Sequence, residues 1–326
     1  IESYCAIHNV SNELNYGDIN KIDEKELPDF DLMTYGFPCQ SFSVAGKRLG
    51  FEDVERGNLF FESMRIANYK KPKYLIAENV KGLVNHDKGE TFKTVLETLE
   101  EIGYNNYWKV LNAKDYGMPQ NRERVFIVSI RKDIDNGKFE FPKPIELTTK
   151  LRDLLDDEVE EKYFLSDEYH SNFIYNLNNK TVEHLKAESK GSYDILGTTL
   201  GTKAKGTNSR HWVHDTNKTI STLSATDYKQ PKQILVGKVV AQTLDIQCNQ
   251  AVLQDYKIRK LTPLECWRLM GFEDEDYSKA KTRLEDKFYK GKDKSNSQMY
   301  KQAGNSIVVP VLEGIFRSLL NKADIL

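Results

Sequence analysis

The sequence predicts an α/β domain joined to a smaller, loop-rich second module. Three observations carry this reading. Between residues 30 and 130, short apolar runs alternate with amphipathic segments of helical spacing, the pattern of a sheet covered by helices. After Pro142 and Pro144 the texture changes, and residues 150–190 are polar, with many acids and asparagines. Regular periodicity then returns at 259–272 and near the end of the chain.

Taken in order, residues 30–36 (FDLMTYG) are an apolar run that stops at Gly36 and Phe37-Pro38, a buried strand ending in a loop. Residues 58–70 have helical spacing, with Asn58 as a potential N-cap. Residues 73–79 (KYLIAEN) repeat the strand design and end at Glu78-Asn79. Residues 91–102 form an amphipathic helix stopped by Gly103. Strands are expected at 107–111 and 124–130. The second module, 145–255, contains Gly, Thr, Ser and Lys with short strand-like pieces such as 234–240. Thr262 and Pro263 then open a helix as N-cap and first residue, and 307–320 reads as a long apolar helix. The expected division is 1–144, 145–255 and 256–326, with the last part returning to the first domain.

Bulk composition restricts function without naming it. With 39% hydrophobic and 29% charged residues, a packed core is expected. No run of 18 apolar residues is present, so no membrane span is expected, and no signal peptide stands at the start. Cysteines 5, 39, 248 and 266 form no C-x-x-C pair, so neither a metal site nor a disulfide framework is expected, and a reducing, cytoplasmic setting fits. The net charge of −2 does not advertise a nucleic-acid binder. Locally the picture differs. Residues 201–240 carry Lys203, Lys205, Arg210, Lys218, Lys229, Lys232 and Lys238 against Asp215 and Asp227. That excess of five positive charges suits either phosphates or plain solvation.

Four short stretches carry chemistry. Cys39 follows a buried strand and a stiffening Pro38, the placement of a nucleophile, although a free cysteine is also commonly a small buried hydrophobe. Glu78 ends an apolar strand, where a charged carboxylate is costly unless it is paired, protonated or in a site. In Gln120-Asn121-Arg122-Glu123-Arg124, alternation sends the two arginines to one side and Glu123 to the other. Gly304-Asn305-Ser306 precedes the last helix. In open α/β sheets, ligands bind beyond the carboxyl ends of the strands, which makes Cys39 and Glu78 candidate neighbours.

The order of Pro38-Cys39-Gln40, Glu78-Asn79-Val80, Gln120 to Arg124 and Gly304-Asn305-Ser306 resembles the motif series of DNA cytosine-C5 methyltransferases of bacterial restriction–modification type. Gly17-Asp18-Ile19, the stretch from Gly46-Lys47 to Gly57, and Arg259 to Gly271 match as well, so the resemblance spans nearly the whole chain. It implies a Rossmann-like S-adenosylmethionine-dependent methyltransferase fold with a target-recognition domain at 145–255. It also implies that Cys39 supplies a thiolate to cytosine C6, that Glu78 contacts N3 and the exocyclic amine, and that Arg124 holds O2. Arg122 would support the same pocket or a backbone phosphate. Asp18, Ile19, Pro38, Leu59, Asn305 and Ser306 would line the cofactor pocket, with no metal. The target base must be flipped from the duplex. Residues 41–58 resemble the loop that closes over DNA, with Ser43 and Lys47 touching the backbone. Ser221 to Ala225 resembles the family's short Thr-Leu element, so Thr222 and Lys229 are expected DNA contacts. The implied partners are double-stranded DNA, on which the chain acts as a monomer, and a cognate restriction endonuclease.

The sequence also departs from that family. It opens on Ile1, with no strand and glycine-rich turn of the Phe-x-Gly-x-Gly type, and Ile1 to Asn9 look like the helix that follows the family's second strand. The expectation is a fragment or one half of a split enzyme, which alone binds S-adenosylmethionine weakly or not at all. Three other readings compete. A tRNA cytosine methyltransferase carries a Cys-Phe-Thr signature, whereas Cys248 is followed by Asn249-Gln250. A DNA-binding relative without catalysis should have lost Cys39, Glu78 or the arginines, and all are present. A thiol hydrolase needs a partner histidine, and His8, His86, His170, His184, His211 and His214 stand in no triad context.

Overall fold

The computed structural model describes residues 1–38, 59–168, 195–198, 212–236 and 257–320. Cys39, Ser43, Lys47 and the proposed N-cap Asn58 lie outside the described residues.

The main sheet has four strands in the order β1-β2-β5-β3. Strands β1 (Leu32–Gly36) and β2 (Tyr74–Val80) are parallel. Strand β5 (Glu123–Arg131) runs antiparallel to both β2 and β3 (Tyr104–Asn112). Helix α1 (Glu2–His8) precedes this sheet, α2 (Leu59–Lys70) connects β1 to β2, and α3 (Glu90–Glu101) leads into β3. Gly103, with φ 101°, makes the turn out of α3 that a side chain would resist.

Period-two alternation assigns the two faces. Leu75, Ala77, Val125 and Ile127 pack against Phe60, Met64, Phe92, Val95 and Leu99 of α2 and α3. Ile76, Phe126, Val128 and Ile130 face a second, larger core. That core is closed by α4 (Pro263–Arg268), α5 (Asp274–Tyr289), α6 (Asn296–Asn305) and α7 (Val309–Leu319).

The start of α4 follows its sequence signal. The Thr262 hydroxyl accepts from Glu265 N (3.2 Å), and the Glu265 carboxylate accepts from Thr262 N (2.7 Å). Glu265 also receives both ends of the Arg259 guanidinium, at 2.8 and 2.7 Å, in a fully buried pair. Helices α5 and α6 are additions to the sequence reading. Helix α5 buries only Ala280 and Leu284, too thin an apolar stripe to reveal its period, and is laced by i,i+4 pairs such as Lys279–Glu275.

The second module contributes a separate sheet. Strands β6 (Ile195–Thr198), β7 (Trp212–His214), β9 (Gln233–Val236) and β10 (Lys257–Lys260) lie in the order β10-β9-β7-β6. This sheet extends past residue 255, because β10 pairs antiparallel with β9. Strand β8 (Ile220–Ser221) leaves it and pairs in parallel with β4 (Gln120–Asn121) of the first module.

Candidate active site

Strand directions bring the predicted chemistry to one end of the main sheet. Parallel β1 and β2 finish there, with Gly36 opposite Glu78, and antiparallel β5 begins there, with Arg124 opposite Val80. Glu78 is opposite Phe126, two residues from Arg124. The carboxylate and guanidinium are therefore diagonal neighbours on one face. Arg124 Nε meets Glu78 Oε1 at 2.9 Å, and the two side chains are 18% and 17% exposed.

Burial pushes the Glu78 carboxyl up, against the pull of Arg124 and Arg122. Burial likewise pulls the Arg124 guanidinium down, with Glu78 opposing it. Arg124 Nη1 also donates to its neighbour's carbonyl, Glu123 O, at 2.8 Å. Glu123 itself meets Lys81 at 2.9 Å, away from this pair. The result is a partly desolvated acid beside a planar donor at the rim of the sheet. Such a pair can take a proton or present hydrogen bonds to a flat polar ring.

Asn79, the next residue, points to the opposite face and is buried. Its Nδ2 donates to Phe37 O at 2.7 Å, and its Oδ1 accepts from Val80 N at 2.9 Å. The chain leading from β1 toward position 39 is thereby tied to the end of β2. Pro38 is exposed while Phe37 is buried against Phe60. Sequence reading noted Glu78 but not this bond, although alternation already separates the two neighbours onto opposite faces.

Arg122 is turned into the protein. Its side chain is 3% exposed, and its guanidinium donates to three main-chain carbonyls. Leu223 O is at 2.8 Å, Ser306 O at 2.9 Å and Gly304 O at 3.1 Å. Both terminal nitrogens are thus taken up by protein carbonyls, while the buried Nε has no hydrogen-bond partner among the described residues. Burial pulls the guanidinium down to about 10, so it stays charged at neutral pH. Thr222 is also turned inward. Its hydroxyl hydrogen goes to Asn121 O at 2.6 Å, which leaves only lone pairs for another partner. Lys229 is exposed, and Tyr228 beside it is covered by Lys301 of α6, with Nζ 4.4 Å from the ring centre. Lys301 went unnoticed in the sequence because it belongs to a helix that was not foreseen.

The expected cofactor residues fall in two groups. Asp18 caps a short turn of 3-10 helix, Ile19–Lys21, and Asn20 N and Nδ2 both donate to its Oδ1. Those bonds hold the exposed carboxyl below its usual range. Arg65 of α2 donates to Ile19 O at 3.1 Å, which brings this turn to the helix that Leu59 begins. Asn305 ends α6 and is exposed. The Ser306 hydroxyl returns to Gln302 O at 2.7 Å, the bond of a helix terminus. The carbonyls of Gly304 and Ser306, on either side of Asn305, are brought to Arg122.

Cys5 and Cys266 are buried, and burial raises the Cys266 thiol well above its ordinary range, which disfavours the thiolate a nucleophile needs. Cys39 and Cys248 lie outside the described residues. Among the described residues, no group of three His, Cys, Asp or Glu side chains could hold a metal ion. No helix among them is long and apolar enough to cross a membrane.

Comparison with known proteins gives a consistent result. The family described as C-5 cytosine-specific DNA methylase matches residues 1–321. The orphan methyltransferase M.SPRI of Bacillus phage SPR is 35% identical over 402 residues, covering 98% of this chain and 89% of the relative. The type II methyltransferase M2.ScrFI of Lactococcus lactis subsp. cremoris is 38% identical, covering 95% and 72%. M.HhaI of Haemophilus parahaemolyticus, also a type II methyltransferase, is 37% identical, covering 93% and 81%. Among solved structures, S. pombe Dnmt2 methyltransferase superposes with a TM-score of 0.61 at 18% identity, covering 99% of this chain and 87% of that one. Entamoeba histolytica EhMeth gives a TM-score of 0.58 at 16% identity, covering 98% and 87%. The shared fold is that of the S-adenosylmethionine-dependent methyltransferases.

Proposed function

The chain belongs to the C-5 cytosine-specific DNA methylases, and from that membership we propose that it methylates C5 of a cytosine flipped out of a specific duplex sequence, by covalent addition of Cys39 to C6. It is a DNA (cytosine-5-)-methyltransferase of restriction–modification type. The observation that carries the finer reading is the Glu78–Arg124 pair at 2.9 Å on the rim where β1, β2 and β5 converge.

Entry of the base exchanges the Glu78–Arg124 contact for two contacts with the ring. Arg124 donates to O2, and Glu78 faces N3 and the exocyclic amine. The Cys39 thiolate adds to C6, and electron density moves onto the N3–O2 side. A carboxyl already pushed up by burial readily supplies a proton or hydrogen bond there, and the guanidinium stabilises developing charge on O2. C5 becomes nucleophilic and takes the methyl group, whose bond to the donor's cationic sulfur breaks to leave a neutral thioether. A base then removes the C5 proton, the bond to sulfur breaks, and the thiolate and aromatic ring are restored.

S-adenosylmethionine, when bound, supplies an electrophilic methyl group on a cationic sulfur. The residues of the 18–21 turn fit its adenine end. Both of Asp18's local donors meet Oδ1, which leaves Oδ2 as an acceptor for an amine, and half-buried Ile19 offers an apolar edge. Pro38 and Leu59 would border the same pocket, with Asn305 and Ser306 approaching from α6. Ser43, Lys47 and Lys229 would contact the DNA backbone, and the 145–255 module would read the sequence, with the Thr222 oxygen free only to accept a hydrogen bond. In the bacterial cytoplasm this modification would protect host DNA from a cognate endonuclease.

Incubation with labelled methyl donor, duplex DNA and tRNA tests this reading, with bisulfite sequencing to locate the modified base. The expected result is 5-methylcytosine at one short duplex sequence. Label on tRNA alone, or on a cytosine exocyclic nitrogen, would overturn it.

A further inference from the structure

Arg122 joins three stretches that are distant in sequence. Its guanidinium reaches Leu223 O in the second module and both Gly304 O and Ser306 O at the end of α6. Its neighbours reinforce the same junction. Gln120 Oε1 accepts from Leu223 N at 3.2 Å, and Gln120 Nε2 donates to Leu269 O at 3.2 Å. Thr222 donates to Asn121 O, and β8 follows β4 in parallel register. No side chain separates α6 from the recognition segment. A Cβ built on Gly304 would lie 2.2 Å from Ser224 C and 2.3 Å from Ala225 N. Arg124, two residues beyond Arg122, pairs with Glu78.

We infer that Arg122 is a positioning residue, through which the 220–225 segment of the recognition module and the 304–306 turn set the placement of the Glu78–Arg124 pair. This rests on the function proposed above and gives Arg122 a part in it that touches neither base nor phosphate. The chemistry favours arginine. A rigid planar fork can hold carbonyls on two separate segments at once, whereas an ammonium is a single point of charge on a flexible stem. A shift of 220–225 on reading the DNA is therefore carried to the main chain of residue 122 and, two residues on, to Arg124. Readout at one module is coupled to the geometry of the pocket in the other.

The test compares the wild type with Arg122→Lys and Arg122→Met. One arm measures kcat and KM at the methylated sequence and at the same sequence with one base changed. The other measures amide hydrogen exchange at 220–225, 304–306 and the core strand β5, with no DNA or cofactor present. The expected result for Arg122→Met is faster exchange confined to the first two segments, together with a loss of discrimination of about tenfold, the scale of losing one or two charge-assisted hydrogen bonds. Arg122→Lys should recover part of both. Unchanged exchange at both segments, or unchanged discrimination, would overturn the inference. So would loss of protection spread through β5 in both variants, which would make Arg122 a general core residue. If the wild type methylates no DNA, the proposed function fails, while the exchange arm still decides whether Arg122 holds the junction.

Discussion

Asn79 holds the carbonyl of Phe37 at 2.7 Å, two residues before Cys39, while its neighbour Glu78 faces the other side of the sheet and meets Arg124. One dipeptide at the end of β2 thus ties down the approach to the proposed nucleophile and supplies the proposed acid. Replacing Asn79 by Ala leaves Phe37 O without this donor. The expected cost is about 0.5–1.5 kcal/mol of stability for each hydrogen bond lost. A larger effect is expected on kcat than on KM, because misplacement by about 1 Å can cost up to about a hundredfold in rate. Urea denaturation and steady-state kinetics on the same variant check both figures. Equal losses in kcat and in folded fraction would leave Asn79 with only a structural part.

Glu78→Gln keeps the shape of the side chain but removes its titration. A fall in kcat of roughly a hundredfold to ten-thousandfold is expected if the carboxyl assists proton movement at N3. The sign of the stability effect is also fixed. Burial raises the carboxyl in the folded protein, so the folded state binds more protons than the unfolded state across the interval between the two values. Stability associated with Glu78 is fully present below the ordinary value of 4.5, and it declines as pH rises through the higher folded value. Denaturation of both proteins at pH 4 and pH 8 should therefore show the difference moving in favour of the glutamine variant at pH 8. Movement the other way would contradict the assignment.

Gly304→Ala should disturb the junction directly. The added carbon would lie 2.2 Å from Ser224 C, and backbone on both sides leaves no flexible end to yield. Overpacking of this kind costs about 1–3 kcal/mol. Thermal unfolding measures it, and a variant of unchanged midpoint would show that α6 and the 222–226 loop separate easily.

Much of this site was legible because its sequence signals are local. Strand endings at Gly36 and at Glu78-Asn79, the Thr262-Pro263 helix start and the stop at Gly103 each depend on a few adjacent residues, and the structure follows them to within a residue or two, β2 running on to Val80. The diagonal Glu78–Arg124 contact follows once β2 and β5 are known to be antiparallel, but pairing direction is not written in either strand. Arg122 was harder to read. Its acceptors are main-chain carbonyls 101, 182 and 184 residues away, and carbonyls leave no trace in residue identity. Helix α5 escaped notice because it buries so little apolar surface.

That polar helix carries its own prediction. Glu2 of α1 is buried against Arg283 and Lys287 of α5, with Asn12 as a further donor. The bonds from Lys287, Asn12 and Arg283 hold its carboxyl down at about 2 against the opposing effect of burial. Because this value lies below the ordinary 4.5, the contribution is present above the ordinary value and is lost as pH falls toward 2. The wild-type melting midpoint should therefore fall between pH 5 and pH 2.5 more steeply than that of Glu2→Gln. Parallel curves would show that the α1–α5 contact contributes nothing to acid stability.

The central claim is a covalent bond between the sulfur of Cys39 and C6 of a cytosine. Duplex DNA with 5-fluorocytosine at the methylated position tests it most directly, because fluorine cannot leave as the C5 proton does. With methyl donor present, a denaturation-resistant protein–DNA adduct is expected that maps to Cys39 by peptide mass and is absent in Cys39→Ser. Normal methylation of the unfluorinated duplex with no adduct on the fluorinated one, or an adduct at another residue, would contradict it.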